Sequence, residues 1–290
     1  GLNVISPTWF KIADNEGGLL DIGSQQYVRT AHDAGLSVWV LVSNFEVEGV
    51  DNAVILGRTS VRDNLVNNII GKAIAYGVDG INIDFEELPS SCEDGFSQFI
   101  KELSIKCEKN DLILSVDNYP PTPSSEFYHR EIQADYADYV IVMAYDEYYN
   151  GRGEAGSNSS LGFARDAVLN TIEQVPPEQT ILALPFYSRI WRTDAAGNLS
   201  SETIRMNEIP DFVERHGAAQ VWDESCAQNY VEFTENDVKT QLWVEDAKSL
   251  GEKMNVMKQE KLGGLAFWKL GMEPASIWES IITYTGKSSE

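Results

Sequence analysis

Cysteine, histidine and basic residues are all scarce in this sequence, and each shortage closes off a class of function. The three cysteines, Cys92, Cys107 and Cys226, are odd in number and lie in no C-x-x-C spacing. If 91–109 is a helix, Cys92 and Cys107 stand roughly 22 Å apart at about 1.5 Å per residue. A disulfide tolerates no more than about 7 Å between Cα atoms. These thiols therefore read as buried core residues, not as a disulfide framework or a metal site. The three histidines, His32, His129 and His216, are scattered and form no H-E-x-x-H pattern, which leaves them surface or helix-end roles. Lys and Arg number 22 against 45 Asp and Glu, a net charge of -23. Such a field repels phosphates and argues against a nucleic-acid partner. There is no run of about 18 apolar residues, so no helical membrane span is expected. No signal-peptide pattern opens the chain at Gly1-Leu2-Asn3, which we read as the start of a trimmed or mature domain, so location is left open. No linker or low-complexity tract divides the sequence. We expect one domain over 1–285 and a frayed tail at 286–290.

What is present is ample material for a large core: 43% of the 290 residues are hydrophobic and 10% aromatic. Strand-like runs recur at 3–10, 36–44, 78–86, 112–118, 139–146, 180–187, 240–246 and 263–270, with 219–224 competing for the seventh place. Helical patterns lie between them, several ending at Gly or just before Pro. Eight strands alternating with helices over this length predict an α/β fold of the (β/α)8 TIM-barrel class. A short insertion at about 192–238, rich in turn signals, precedes the seventh or eighth strand.

The most informative stretch is GVDGINIDFEEL, 77–88. Ile81, Ile83 and Phe85 alternate with Asn82, Asp84 and Glu86, and a strand sends alternate residues to opposite faces. The apolar set would pack outward on helices, and the polar set would face the barrel interior near the carboxyl end of its strand, where such barrels carry active sites. Two carboxylates placed there cost several kcal/mol unless paired or used. A structural ion pair or a divalent metal are the alternatives, but metal ligands usually come from loops that wrap the ion. Residues two apart on a strand are roughly 6.6 Å apart and project from one side. They cannot flank a sugar from both faces, as two-carboxylate glycosidases do. One acid could protonate the leaving oxygen, and a 2-acetamido oxygen of the substrate could supply the nucleophile.

DGINIDFE resembles the D-x-x-D-x-D-x-E signature of glycoside hydrolase family 18, the chitinase family. VMAYDEY (142–148), LPFYSRIW (184–191) and GGLAFWKLG (263–271) resemble its later landmarks in the same order, so the likeness covers essentially the whole chain. VISPTWF, VWVLVSN, GINIDFE with its Asn, VMAYDE and VWDE followed by WVEDAKSL are similar to the bacterial spore-cortex-lytic N-acetylglucosaminidase branch, whose members are often preceded by small wall-binding repeats.

The resemblance implies a catalytic domain with Glu86 as general acid and then base. Asp84 would orient the acetamido N–H and offset charge on an oxazolinium intermediate, and Tyr145 would donate to the acetamido oxygen. Asp146 would contact sugar or hold Tyr145, and Trp268 would floor the sugar pocket. Trp9, Asn44, Asn118, Tyr187 and Arg189 are further strand-end candidates for substrate binding. Neither cofactor nor metal is implied. The partner would be a polysaccharide containing N-acetylglucosamine, peptidoglycan or chitin-like, at an extracellular, cell-wall or spore-surface location. One departure stands out: the family usually has Asp where this chain has Asn82. Asn82 cannot ionise, and we expect it to hydrogen-bond Asp84 instead and to alter the pH profile.

Other motifs weigh less. GRGEAG (151–156) fits G-x-G-x-x-G, but it neither follows its strand tightly nor opens a helix. NSS (158–160) and NLS (198–200) match glycosylation acceptors by pattern alone. Trp39, Trp222, Trp243 and Trp278 are expected in the core. The leading functional expectation is a retaining β-N-acetylglucosaminidase acting on peptidoglycan. Chitin or the N-glycan core are alternative substrates, and a non-catalytic sugar-binding protein or an interaction scaffold are alternatives of another class. Retention of the acid at 86 favours the enzyme.

Overall fold

The computed structural model describes residues 2–45 and 47–285. The chain divides into two compact units, one formed by 2–141 with 173–180, the other by 142–172 and from 181 onward.

In the first unit the strands Thr8–Ile12, Ser37–Ser43, Gly80–Asp84 and Ile113–Asn118 lie side by side in that order. The opening run is split: Val4–Ile5 pairs with Ser37–Ser43 by itself, and Pro7, which has no N–H to donate, stands between it and Thr8. Register is parallel, with Val42 opposite Ile83 and Ile83 opposite Val116. Helices Gln25–Asp33, Thr59–Tyr76 and Glu93–Glu108 alternate with the strands. Ser24 caps the first, accepting from the Tyr27 N–H at 3.2 Å, and Gly77 ends the second in the left-handed region at φ 72°. Gly80 admits no side chain: a Cβ there would stand 2.7 Å from the Trp39 ring and 2.9 Å from the Ile113 carbonyl oxygen. Ile81, Ile83 and Phe85 are buried as expected, Phe85 stacking on Phe99 of Glu93–Glu108 at 5.2 Å. Each such side chain contributes about 1.5–3 kcal/mol by leaving water. Cys92 and Cys107 are buried free thiols, and Cys226 is a half-buried one.

In the second unit Thr180–Pro185 pairs in parallel with Gly264–Trp268, Leu182 opposite Leu265. Helices Leu161–Ile172, Ala247–Glu260 and Ile277–Thr285 pack with these strands around Val142, Leu182, Leu184, Leu250 and Met254. The strand Tyr139–Met143 carries the chain from one unit into the other.

The inserted segment is larger than expected. Tyr187–Thr193, Leu199–Arg205, Gln220–Asp223, Gln228–Glu235 and Val238–Val244 form a separate antiparallel sheet, with helix Ile209–Arg215 closing a small core of Ile190, Ile204, Val231 and Leu242. The run 240–246, expected as the seventh barrel strand, belongs to this sheet, and so does its competitor 219–224. The reason is local. Asn236 and Asp237 both adopt left-handed φ, 50° and 60°, and fold Val238–Val244 straight back onto Gln228–Glu235 as a two-residue hairpin. The other seven expected runs are strands of the parallel set.

Candidate active site

The first unit carries the acidic strand. Asn82 and Asp84 are buried, at 4% and 8% exposure, on Gly80–Asp84. The strand stops at Asp84, two residues earlier than expected, and Glu86 follows just beyond it. Asn44 fixes Glu86 from the neighbouring strand end. Its Oδ1 accepts the Glu86 N–H at 2.8 Å and its Nδ2 donates to the Glu86 carbonyl at 2.9 Å. Glu87 then takes the left-handed region, φ 51°, a conformation that costs a non-glycine residue about 1 kcal/mol or more and concentrates at functional sites. Tyr119 Oη donates to Glu86 Oε2 at 2.7 Å. Tyr119 is itself positioned from below: the buried Arg130 donates to its carbonyl at 2.9 Å, and Tyr128 meets its ring edge-on. Burial and the Glu86 carboxyl together raise the Tyr119 hydroxyl above its ordinary range, so it stays a donor.

Asp117 completes this cluster, and sequence periodicity did not single it out. Asn82 was expected to hydrogen-bond Asp84. Instead its Nδ2 donates to Asp117 Oδ2 at 2.8 Å, and its Oδ1 accepts from Ser115 Oγ at 2.7 Å. The parallel register explains the correction: Asn82 lies opposite Ser115, so its amide reaches across to the next strand, not along its own. The signal was present in LILSVDNY, where Ser115, Asp117 and Tyr119 fall at every second position. Asn118, the expected candidate, lies in the opposite phase. Its amide is buried and spent on Gln133 Oε1, at 2.6 Å, and on the Val116 carbonyl, at 3.2 Å. Burial, then the carboxylates of Asp117 and Glu86, raise Asp84 far above the usual carboxylate range. Burial raises Asp117 too, against the Asn82 hydrogen bond and with help from Glu86. Asp84 Oδ1 is a buried acceptor with no hydrogen-bond partner among the described residues.

The first Asp of the signature has a structural task. Asp79 Oδ2 accepts the Val38 N–H at 2.7 Å and faces His32 Nε2 at 2.8 Å, clamping the start of Ser37–Ser43. Trp9 is built into an aromatic cluster, edge-on to Tyr27 at 5.2 Å and tilted against Tyr76 at 6.0 Å.

The second unit brings together Tyr145, Asp146, Tyr187 and Arg189. Asp146 Oδ1 accepts from Tyr187 Oη and from Arg189 Nη2, both at 3.0 Å. Tyr145 meets the Tyr187 ring edge-on at 6.4 Å. Burial, then Asp146, raise the Tyr187 hydroxyl above its ordinary range. Trp268 ends its strand half-buried, with Lys269 Nζ 5.6 Å from its ring centre. GRGEAG runs through turns and opens no helix; Leu161–Ile172 begins only later. Asn158 of NSS is buried and donates to the Tyr187 carbonyl, so it is no exposed acceptor. Among the described residues no group of three or more His, Cys, Asp or Glu side chains is arranged to hold a metal ion.

Parallel strands alternating with helices, with carboxylic acids gathered where a strand ends, define the frame of a barrel-class glycoside hydrolase. The family model for glycosyl hydrolases family 18 matches residues 27–273, and the chain belongs to that family. It is 24% identical over 238 residues to a cortical fragment-lytic enzyme of Bacillus anthracis, covering 79% of this chain and 55% of that protein. Its fold matches a Chromobacterium violaceum chitinase with a TM-score of 0.88 at 21% identity, covering 99% and 92% of the two chains. It also matches the Bacillus megaterium spore cortex-lytic enzyme SleL, with a TM-score of 0.86 at 22% identity, covering 97% and 66%. The fold is thus the TIM barrel of this family. The chain spans about half the length of the cortical fragment-lytic relatives it matches.

Proposed function

We propose that this chain is a retaining, substrate-assisted β-N-acetylglucosaminidase that hydrolyses a polymer containing N-acetylglucosamine, with peptidoglycan of spore cortex or cell wall as the favoured substrate. The observation that carries the reading is the pair Asp84 and Glu86: one acid held in place at its backbone and at one carboxyl oxygen, beside another whose Oδ1 is buried and lacks a donor among the described residues.

Glu86 donates its proton to the glycosidic oxygen as the bond to the anomeric carbon breaks. The acetamido oxygen of the same sugar forms the new bond to that carbon, giving an oxazolinium ion. The acetamido N–H donates to Asp84 Oδ1. Glu86, now a carboxylate, removes a proton from water, which opens the oxazolinium with net retention. Tyr119 Oη donates to Oε2 at 2.7 Å and so holds the carboxyl in place. Tyr145 donates to the acetamido oxygen and Trp268 offers a flat apolar face to the sugar, as the family resemblance assigns; Asp146, Tyr187 and Arg189 serve substrate binding. Relatives named as cortical fragment-lytic enzymes support the choice of polymer and an extracellular, wall or spore-surface location.

The test is mass spectrometry of products from peptidoglycan, cortex fragments and chitin oligomers, with Glu86→Gln in parallel. Cleavage next to N-acetylglucosamine, lost by at least about 10² in Glu86→Gln with sugar binding kept, is expected. Cleavage of chitin oligomers alone would move the substrate to chitin. Equal activity of Glu86→Gln, or efficient cleavage of a glucoside lacking the acetamido group, would overturn the mechanism. Binding without cleavage of any of the three would establish a sugar-binding protein.

A further inference from the structure

Asn82 stands where family 18 usually carries an aspartate, and its amide donates to Asp117 Oδ2 at 2.8 Å. Ser115 Oγ fixes the other end of the same amide at 2.7 Å, so its orientation is set from both sides. Ile83 lies opposite Val116, and Asp84 and Asp117 are each one residue further along that register. A carboxyl missing from the motif strand is thus present on the adjoining strand, bonded to the residue that replaced it.

We propose that Asp117 is a positioning residue for the acids of this site, taking over through Asn82 the ionisable role that the motif position has lost, and so setting the pH window in which Glu86 works as an acid. This rests on the glycosidase reading above for its consequence in turnover, but not for the coupling itself.

A carboxylate beside another disfavours ionisation of its neighbour. Asp117 and Glu86 both act on Asp84 in this direction, and Glu86 acts on Asp117. The other titratable and charged groups bearing on the cluster are Tyr119, bonded to Glu86, Tyr128, which Glu86 also affects, and Arg130 beside Tyr128. Tyr119 and Asp117 therefore pull on Glu86 in opposed directions. The Tyr119 hydroxyl favours the charged form of Glu86, and Asp117 favours the protonated form of its neighbours. With Asn82 and no Asp117, the site would hold one carboxyl fewer and its acids would ionise more readily.

Asp117→Asn tests this cleanly, because the new side chain still offers an oxygen to Asn82 and removes only the charge. The alkaline limb of kcat/KM should move down by about one pH unit, with KM near the parent value. The double variant N82D/D117N, which returns a carboxyl to the motif position, should restore the limb. A merely structural Asp117 would instead give an equal loss at every pH with no recovery in the double variant, and either that result or an unmoved limb would overturn the proposal. Carboxyl ¹³C NMR provides a readout independent of turnover. The Asp84 titration midpoint should fall in Asp117→Asn, and an unchanged midpoint overturns the proposal whatever the enzyme does. If no polymer is cleaved but the midpoint falls, the glycosidase reading fails and the coupling stands.

Discussion

Asn44 holds the backbone of Glu86 with both ends of one amide, accepting from its N–H at 2.8 Å and donating to its carbonyl at 2.9 Å. Glu86 lies outside its strand, so no sheet ladder fixes it, and this two-point hold replaces the ladder. Asn44→Ala leaves both backbone groups to find other partners, which costs about 1–3 kcal/mol for each that stays buried and unsatisfied. An acid displaced by about 1 Å can lose about 10² in rate. We expect a lower kcat with KM little changed, together with a lower Tm. Kinetics and thermal unfolding check both, and a variant with parental kcat would remove Asn44 from this role.

Tyr119 supplies the second hold on Glu86, at the carboxyl itself. A hydroxyl donating to a carboxylate favours its charged form. Tyr119→Phe removes that preference, so protonated Glu86 should persist to higher pH and the alkaline limb of kcat/KM should rise by up to about one pH unit. The sign is opposite to that expected for Asp117→Asn. General loosening of the site would shift both variants alike, so pH–rate profiles of the pair decide whether each residue acts as assigned.

Much of the site was legible in the sequence, and what was not has a physical cause. Alternation in GINIDFE identified the buried face of Ile81, Ile83 and Phe85 and the polar face of Asn82 and Asp84, because the side-chain period of a strand is a local property. Asp117 was not identified because its importance comes from register between strands, with Asn82 opposite Ser115, and single-sequence periodicity carries no register. The run 240–246 has the composition of a barrel strand. Its true partner was decided by the left-handed pair Asn236 and Asp237, which the sequence showed only as a turn signal. Asn44 was named as a sugar contact; its amide is instead occupied by the backbone of Glu86, a contact that depends on where two strands end.

Asp84 makes stability depend on pH, and the sign follows from its surroundings. Its folded pKa is raised by burial and by Asp117 and Glu86. The unfolded chain releases the proton in the ordinary range, while the folded chain keeps it. The group's contribution to stability is therefore complete below the unfolded pKa and is lost as pH rises toward the folded value. Asp84→Asn cannot titrate. It should match the parent near pH 4 and exceed it increasingly toward pH 8, by up to about 1.4 kcal/mol for each pH unit, since each tenfold change in proton affinity is worth that much. Denaturant unfolding at three pH values measures the gap, and a gap that does not grow with pH would show that Asp84 is not held protonated.

Glu245, just after Val238–Val244, is 1% exposed and Lys253 of Ala247–Glu260 is 0% exposed, with Lys253 Nζ 2.8 and 2.5 Å from the two carboxyl oxygens. Ser249 Oγ and Gln228 Nε2 also donate to the Glu245 carboxyl, and Ser188 Oγ accepts its N–H. Desolvation raises the Glu245 pKa, against the pull of Lys253. Lys253→Met removes the cation and leaves a buried carboxyl, which should cost about 3–5 kcal/mol at neutral pH. The loss should shrink toward about pH 4–5, where Glu245 can take up a proton and become neutral. E245Q/K253M removes both charges and keeps an amide for Ser249, so it should recover most of the stability, since a buried ion pair often gains little over a neutral replacement. Denaturant midpoints of the parent, the single variant and the double variant at pH 5 and 8 separate these effects. A Lys253→Met loss below about 1 kcal/mol, or one independent of pH, would mean that water reaches this pair and that the sheet and helix are tied by packing alone.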